Sequence, residues 1–150
     1  DAVGRAPAYG GHMGDSAGAG RWVLIRRSAC AGALAVLVIA GLAVHTMLPD
    51  TAGTDIAGDA LYAAAVYAFV AGIAVRQSPL VVGAIAVTWC VGIELFQLTG
   101  LPLAAGAAFP PAMLVLGTVF DPRDLVVYVV TIVAVTATDA GIGRLRDKRR

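Results

Sequence analysis

At 150 residues, 59% hydrophobic and only 14% charged, with a mean hydropathy of +0.81, the chain is too apolar for a water-soluble domain and too short for several folding units. Four Phe, four Tyr and two Trp leave most of the apolar mass to Ala, Val, Leu, Ile and Gly, a composition of closely packed membrane helices. The net charge of +1 excludes nothing by itself, but the placement of the charges is informative.

Residues 1–20 are rich in Gly and Ala without periodicity, and residues 1–25 are expected to form a disordered N-terminal tail ahead of a transmembrane domain over 26–143. Crossing about 30 Å of hydrocarbon takes roughly 20 apolar residues. The first such run extends from about Ser28 to Leu48 and stops at Pro49-Asp50. Arg26-Arg27 ahead of it has the look of a signal peptide, but Val44-His45-Thr46-Met47 at its end offers no small-residue cleavage site, so it reads as a retained span.

The second run covers about Asp59 to Val75 and ends at Arg76-Gln77-Ser78-Pro79, a turn with Pro positioned to start the next helix. Ala60, Ala64, Ala68 and Gly72 recur at every fourth position and make a smooth face for a neighbouring helix. The third run is Leu80 to about Leu98, and the fourth is Asp124 to about Ile142. Between them, Gly100, Pro102, Gly106, Pro110 and Pro111 break the chain. Met113–Phe120 is apolar but too short to span, so Thr99–Arg123 is expected to be a loop followed by a re-entrant or interfacial segment. Cys30 and Cys90 both lie inside apolar runs and read as small buried hydrophobes.

Lys and Arg in short loops stay on the cytoplasmic side. With four spans, Arg21, Arg26, Arg27, Arg76 and the basic tail 144–150 (Arg144, Arg146, Lys148, Arg149, Arg150) are cytoplasmic, and Arg123 alone faces out. A fifth span would carry the tail across. The prediction is therefore an all-α membrane protein with four transmembrane helices in an up-down bundle, multi-pass, both termini cytoplasmic.

Glu94 lies in the third run about one turn from its outer end, where an ionised carboxylate costs several kcal/mol unless paired or wetted. Gln97 follows three residues on, on the same face. Asp59 and Tyr62 stand near the start of the second run, and Asp121, Asp124 and Tyr128 near the start of the fourth. An up-down bundle brings these into one outer layer, with Arg123 as the partner for the carboxylates. Asp59 and Asp124 also read as N-caps of their helices. The candidate polar site is thus Asp59, Tyr62, Glu94, Gln97, Asp121, Arg123, Asp124 and Tyr128. His45, Asp59, Glu94 and Asp121 lack the close spacing of a metal site, so neither a metal nor another cofactor is expected. No nucleophile with an adjacent base and no phosphate-holding glycine loop is present, and no catalytic residue is assigned.

The segments Gly58-Asp59-Ala-Leu61-Tyr62, Glu94-Leu-Phe-Gln97 and Leu114-Val-Leu-Gly117-Thr-Val-Phe120-Asp121-Pro-Arg123-Asp124-Leu-Val-Val-Tyr128 resemble the small bacterial membrane family called domain of unknown function 2809, related to VanZ-like proteins. VanZ-like proteins carry a comparable Glu-x-x-Gln and a later Asp before the final helix. The resemblance implies that Asp59, Glu94, Gln97, Asp121 and Asp124 belong to a shared pattern, and that the protein resides in the bacterial inner membrane.

The expected role is that of a non-enzymatic membrane protein whose outer polar site binds or positions a lipid-linked or cell-wall-related envelope molecule. Its partners are then membrane lipid and that molecule, with a homo-oligomer compatible and no basic soluble domain for nucleic acid. The alternatives are a proton- or cation-coupled transporter or channel subunit built on Glu94, and a polar network that only fixes helix packing.

Overall fold

A computed structural model describes residues 13–117 and 119–148, and every regular element among them is helical. The chain forms α1 (Met13–Met47), α2 (Ala52–Ile73), α3 (Pro79–Gln97), α4 (Leu101–Ala108), a 3-10 turn (Pro110–Ala112), α5 (Met113–Leu116) and α6 (Pro122–Asp147). Four stretches, Gly20–Met47, Ala52–Ile73, Pro79–Gln97 and Pro122–Arg146, are long and apolar enough to cross a membrane. The shortest, at 19 residues, reaches about 28 Å at 1.5 Å per residue, close to the hydrocarbon thickness.

Several boundaries differ from the sequence expectation for local reasons. Helix α1 begins at Met13, so residues 13–25 are helical rather than a disordered tail; no Pro interrupts the chain between Met13 and Pro49. Residues 1–12 of that expected tail lie outside the described residues. Helix α2 starts at Ala52 because Thr51 and Thr54 form a reciprocal capping box, with Thr54 N donating to Thr51 Oγ1 at 3.2 Å and Thr51 N to Thr54 Oγ1 at 2.9 Å. Asp59 is therefore inside the helix and caps nothing. The N-cap of α6 is Asp121, whose Oδ1 accepts from Arg123 N at 2.8 Å, which displaces Asp124 from its expected capping role. Helix α6 also runs on to Asp147, so Arg144 and Arg146 of the basic tail lie on its last turn.

The connecting segment is more helical than a loop. Gly100 takes a left-handed φ of 70° directly after α3 and turns the chain into α4, where Pro102 near the helix start forfeits no intrahelical bond. Pro110 and Pro111 then open the 3-10 turn, and α5 is a single turn. None of these pieces spans.

The core lies between α2, α3 and α6, and each contributes residues four apart. Ala63, Tyr67 and Ala71 meet Val82, Ala86 and Cys90, with Tyr128 and Ile132 from α6. Ridges at i, i+4 on all three helices let the backbones approach closely through small residues. Helix α1 packs along α2, where Gly72 meets Cys30. Large apolar side chains such as Val36, Ile39, Leu80, Val126 and Val130 point outward, the pattern of helices solvated by lipid.

Because Ala86 is fully buried and its neighbour Ile85 faces out, Ala86→Phe is expected to destabilise the helical domain by about 1–3 kcal/mol while Ile85→Phe leaves it unchanged. Thermal unfolding in detergent checks the pair.

Candidate functional site

Helix α3 runs antiparallel to both α2 and α6, which brings the start of α2, the end of α3 and the start of α6 together at one end of the bundle. Glu94 is fully buried there, and its Oε1 accepts from the Asp121 backbone N–H at 2.6 Å. Three residues on, buried Gln97 donates through Nε2 to the Leu116 carbonyl at 3.0 Å. From α2, the Tyr62 hydroxyl donates to the Val115 carbonyl at 2.9 Å and accepts from Trp89 Nε1 at 3.1 Å. These side chains satisfy backbone groups at the end of α5 and at the N-cap of α6, on either side of the turn.

Gly117 is the pivot of that turn. Its φ of 64° and ψ of −166° fall in a region open essentially to glycine alone, and a Cβ there would run into the Gln97 amide. Tyr128 is buried under the layer, its ring 6.0 Å from that of Tyr62 and inclined at 53°.

Beside this buried group lies an open polar cleft of about 520 Å³ between α1, the start of α2 and the start of α6. It is lined by Asp50, Asp55 and Asp59 on one side, Asp121, Arg123 and Asp124 on the other, and His45 from α1. Arg123 Nη2 is 3.3 Å from Asp121 Oδ2 and 3.9 Å from Asp55 Oδ2, while its Nε is 3.9 Å from Asp124 Oδ1. One guanidinium is thus divided among three carboxylates, at distances and exposure that make each contact weak. Asp59 and Asp124 stand face to face across the α2–α6 contact.

The eight residues singled out in the sequence fall into two sets. Asp59, Asp121, Arg123 and Asp124 line the cleft; Tyr62, Glu94, Gln97 and Tyr128 form the buried backing and do not reach its surface. Arg123 contacts Asp121, Asp124 and Asp55, and Glu94 is held instead by a backbone amide. Among the described residues, no group of three or more His, Cys, Asp or Glu side chains is arranged to hold a metal ion.

A second polar cluster, at the opposite end of the bundle, was not anticipated. Asp139 Oδ2 on α6 accepts from Arg26 Nη2 on α1 at 2.8 Å and from the Tyr67 hydroxyl on α2 at 2.9 Å, with Arg26 lying 5.5 Å over the Trp22 ring. The signal was present in the sequence: Asp139 is the one charged residue in the apolar run from Leu125 to Ile142, and such a residue needs a partner.

A family model described as "Protein of unknown function (DUF2809)" matches residues 48–132, more than half of the chain. No curated protein and no solved structure matches it.

Gly117→Ala is expected to cost about 1–3 kcal/mol and to open the turn after α5 to protease in detergent, whereas Gly92→Ala, at a position with open space around it, is tolerated. Unfolding curves and limited proteolysis of the two variants check this.

Proposed function

We propose that this chain, which belongs to the DUF2809 family of proteins of unknown function, is a non-enzymatic membrane protein whose polar cleft binds or positions the headgroup of a membrane-borne envelope molecule. The observation that carries the reading is the cleft itself. It is large enough for a headgroup, opens at one end of helices that are apolar along their length, and is backed by a buried hydrogen-bonded layer that holds its wall in place. Buried and ionisable groups in membrane spans mark functional positions more often than in soluble helices.

The Lys and Arg distribution supports cytoplasmic termini and a cleft on the outer face, and the family resemblance supports the bacterial inner membrane as the location. The envelope half of the proposal rests on the VanZ-like resemblance read in the sequence. Coupled transport of protons or cations gains less support. The two polar ends are separated by a packed layer in which Val82, Ala86, Cys90 and Ile132 are 0–1% exposed, and it offers few polar steps, Thr136 beside Gly83 among them.

A structural reading is favoured by one set of observations: Tyr62, Glu94 and Gln97 all bond the backbone between Val115 and Asp121. The two readings separate by phenotype. If the cleft binds an envelope molecule, Asp124→Asn expressed at wild-type level weakens tolerance to cell-wall antibiotics in the native host. An unchanged tolerance with unchanged protein level contradicts the binding role and leaves the structural one.

A further inference from the structure

We infer that the arm from Leu98 to Phe120 is sunk in the hydrocarbon of the leaflet at the cleft end of the bundle, and that its open apolar face docks lipid acyl chains. No charged residue occurs in that stretch, and Thr99 and Thr118 are its only hydroxyl-bearing side chains. Its large side chains turn outward: Leu98, Leu101, Leu103, Phe109, Leu114 and Val119 are each half or more exposed. A helix lying flat on a membrane keeps a charged or polar face toward water. The arm has none, so it fits below the surface and not on it.

Its depth is set by bonds that reach it from the spans. The Val115 carbonyl accepts from the hydroxyl of Tyr62, a residue near the midpoint of α2, and that hydroxyl accepts from Trp89 Nε1, about two turns before the end of α3. The Leu116 carbonyl and the Asp121 amide are bonded to Gln97 and Glu94 in the last turn of α3. The returning leg of the arm therefore lies beside the final turns of α3 and not beyond its end. At 19 residues α3 only just crosses the hydrocarbon, so whatever packs beside those turns is inside it.

The backbone of the arm is satisfied in the way such a depth demands. Lipid offers no hydrogen bonds, and irregular backbone survives there only where protein supplies them. Pro102, Pro110 and Pro111 have no N–H to satisfy. At the breaks, the amides of Gly100, Phe109, Ala112 and Gly117 donate to the carbonyls of Gln97, Ala105, Phe109 and Met113 at 2.8–3.0 Å. Thr99 turns its hydroxyl back onto the Phe96 carbonyl at 2.7 Å. The carbonyls of Val115 and Leu116, which water would serve at an exposed helix end, instead take donors from the side chains of two spans. Within the arm, Met113 lies so closely over Gly106 that a Cβ there would collide with it. The apolar face continues the outward surface of α3, where Ile85, Leu95 and Phe96 also point away from the bundle.

Spin labels on the full chain in lipid nanodiscs test this, placed singly through Leu103→Cys, Phe109→Cys and Leu114→Cys in a parent carrying Cys30→Ser and Cys90→Ala. Ile85→Cys supplies the lipid-facing reference and Ala52→Cys the aqueous one. The arm labels are expected to collide with oxygen as often as the Ile85 label, and with a polar nickel chelate on the order of tenfold less often than the Ala52 label, since the chelate is costly to transfer into hydrocarbon. Nickel collisions at any arm label that match those at Ala52 place the arm in water and overturn the inference. Arm labels shielded from both reagents point to a covering protein, a second copy of the chain included, and overturn it equally. Should the cysteine-free parent fold poorly, hydroxyl-radical footprinting of the unaltered chain in the same discs reads the same face. Phe109 is expected to resist oxidation as Phe69, on the outward face of α2, does; oxidation of Phe109 well beyond that of Phe69 overturns the inference.

Discussion

A carboxylate placed inside a membrane-spanning helix must find donors within the protein, since lipid supplies none, and Glu94 finds its donor in the backbone of another element. The bond from Asp121 N–H to Glu94 Oε1 fixes the point at which the connecting segment ends and α6 begins. Asp121 then caps α6 through its own side chain, and Arg123, the second residue of the helix, is drawn to the carboxylates around it. Without the Glu94 contact the turn around Gly117 loses an anchor, and the cleft wall formed by Asp121, Arg123 and Asp124 loses its footing. Gln97 and Tyr62 reinforce the same segment from α3 and α2.

The two ends of the bundle solve the same electrostatic problem in different ways. Around Asp139, one carboxylate, one guanidinium and one phenol close on each other and tie α1 to α2 and α6. The pair is partly buried and satisfied, and removing one partner leaves the other charged and alone beside apolar helices. Around Asp124 the acids outnumber the base, and the space between α1 and α6 stays open. The bundle is clamped at one end and open at the other, which is why the proposed binding role is placed at the open end.

The four spans were legible because a run of some 20 apolar residues has few other uses, and because Ser78-Pro79 punctuates a helix start plainly. The helix α1 extension back to Met13 was hidden, since Gly and Ala in that stretch carry no periodicity. Cap positions were misplaced by attending to acids: the hydroxyl pair Thr51 and Thr54, and Asp121 rather than Asp124, are the residues with the right offset to the first free amides. Glu94 and Gln97 could be placed on one face by their spacing, but not their partners, because the Leu116 carbonyl and the Asp121 amide are backbone groups that any sequence supplies. Arg26 carries a topology signal in the sequence, whereas its bond to Asp139, 113 residues away, leaves no trace in the local pattern.

The central claim is that Glu94 holds the start of α6 by its bond to the Asp121 amide. Amide hydrogen exchange of the protein in lipid nanodiscs addresses it directly, comparing wild type, Glu94→Gln and Glu94→Ala. The account predicts a protected Asp121 amide in wild type and in Glu94→Gln, whose amide oxygen still accepts, and fast exchange there in Glu94→Ala. An Asp121 amide that exchanges freely in wild type, or that stays protected in Glu94→Ala, contradicts it.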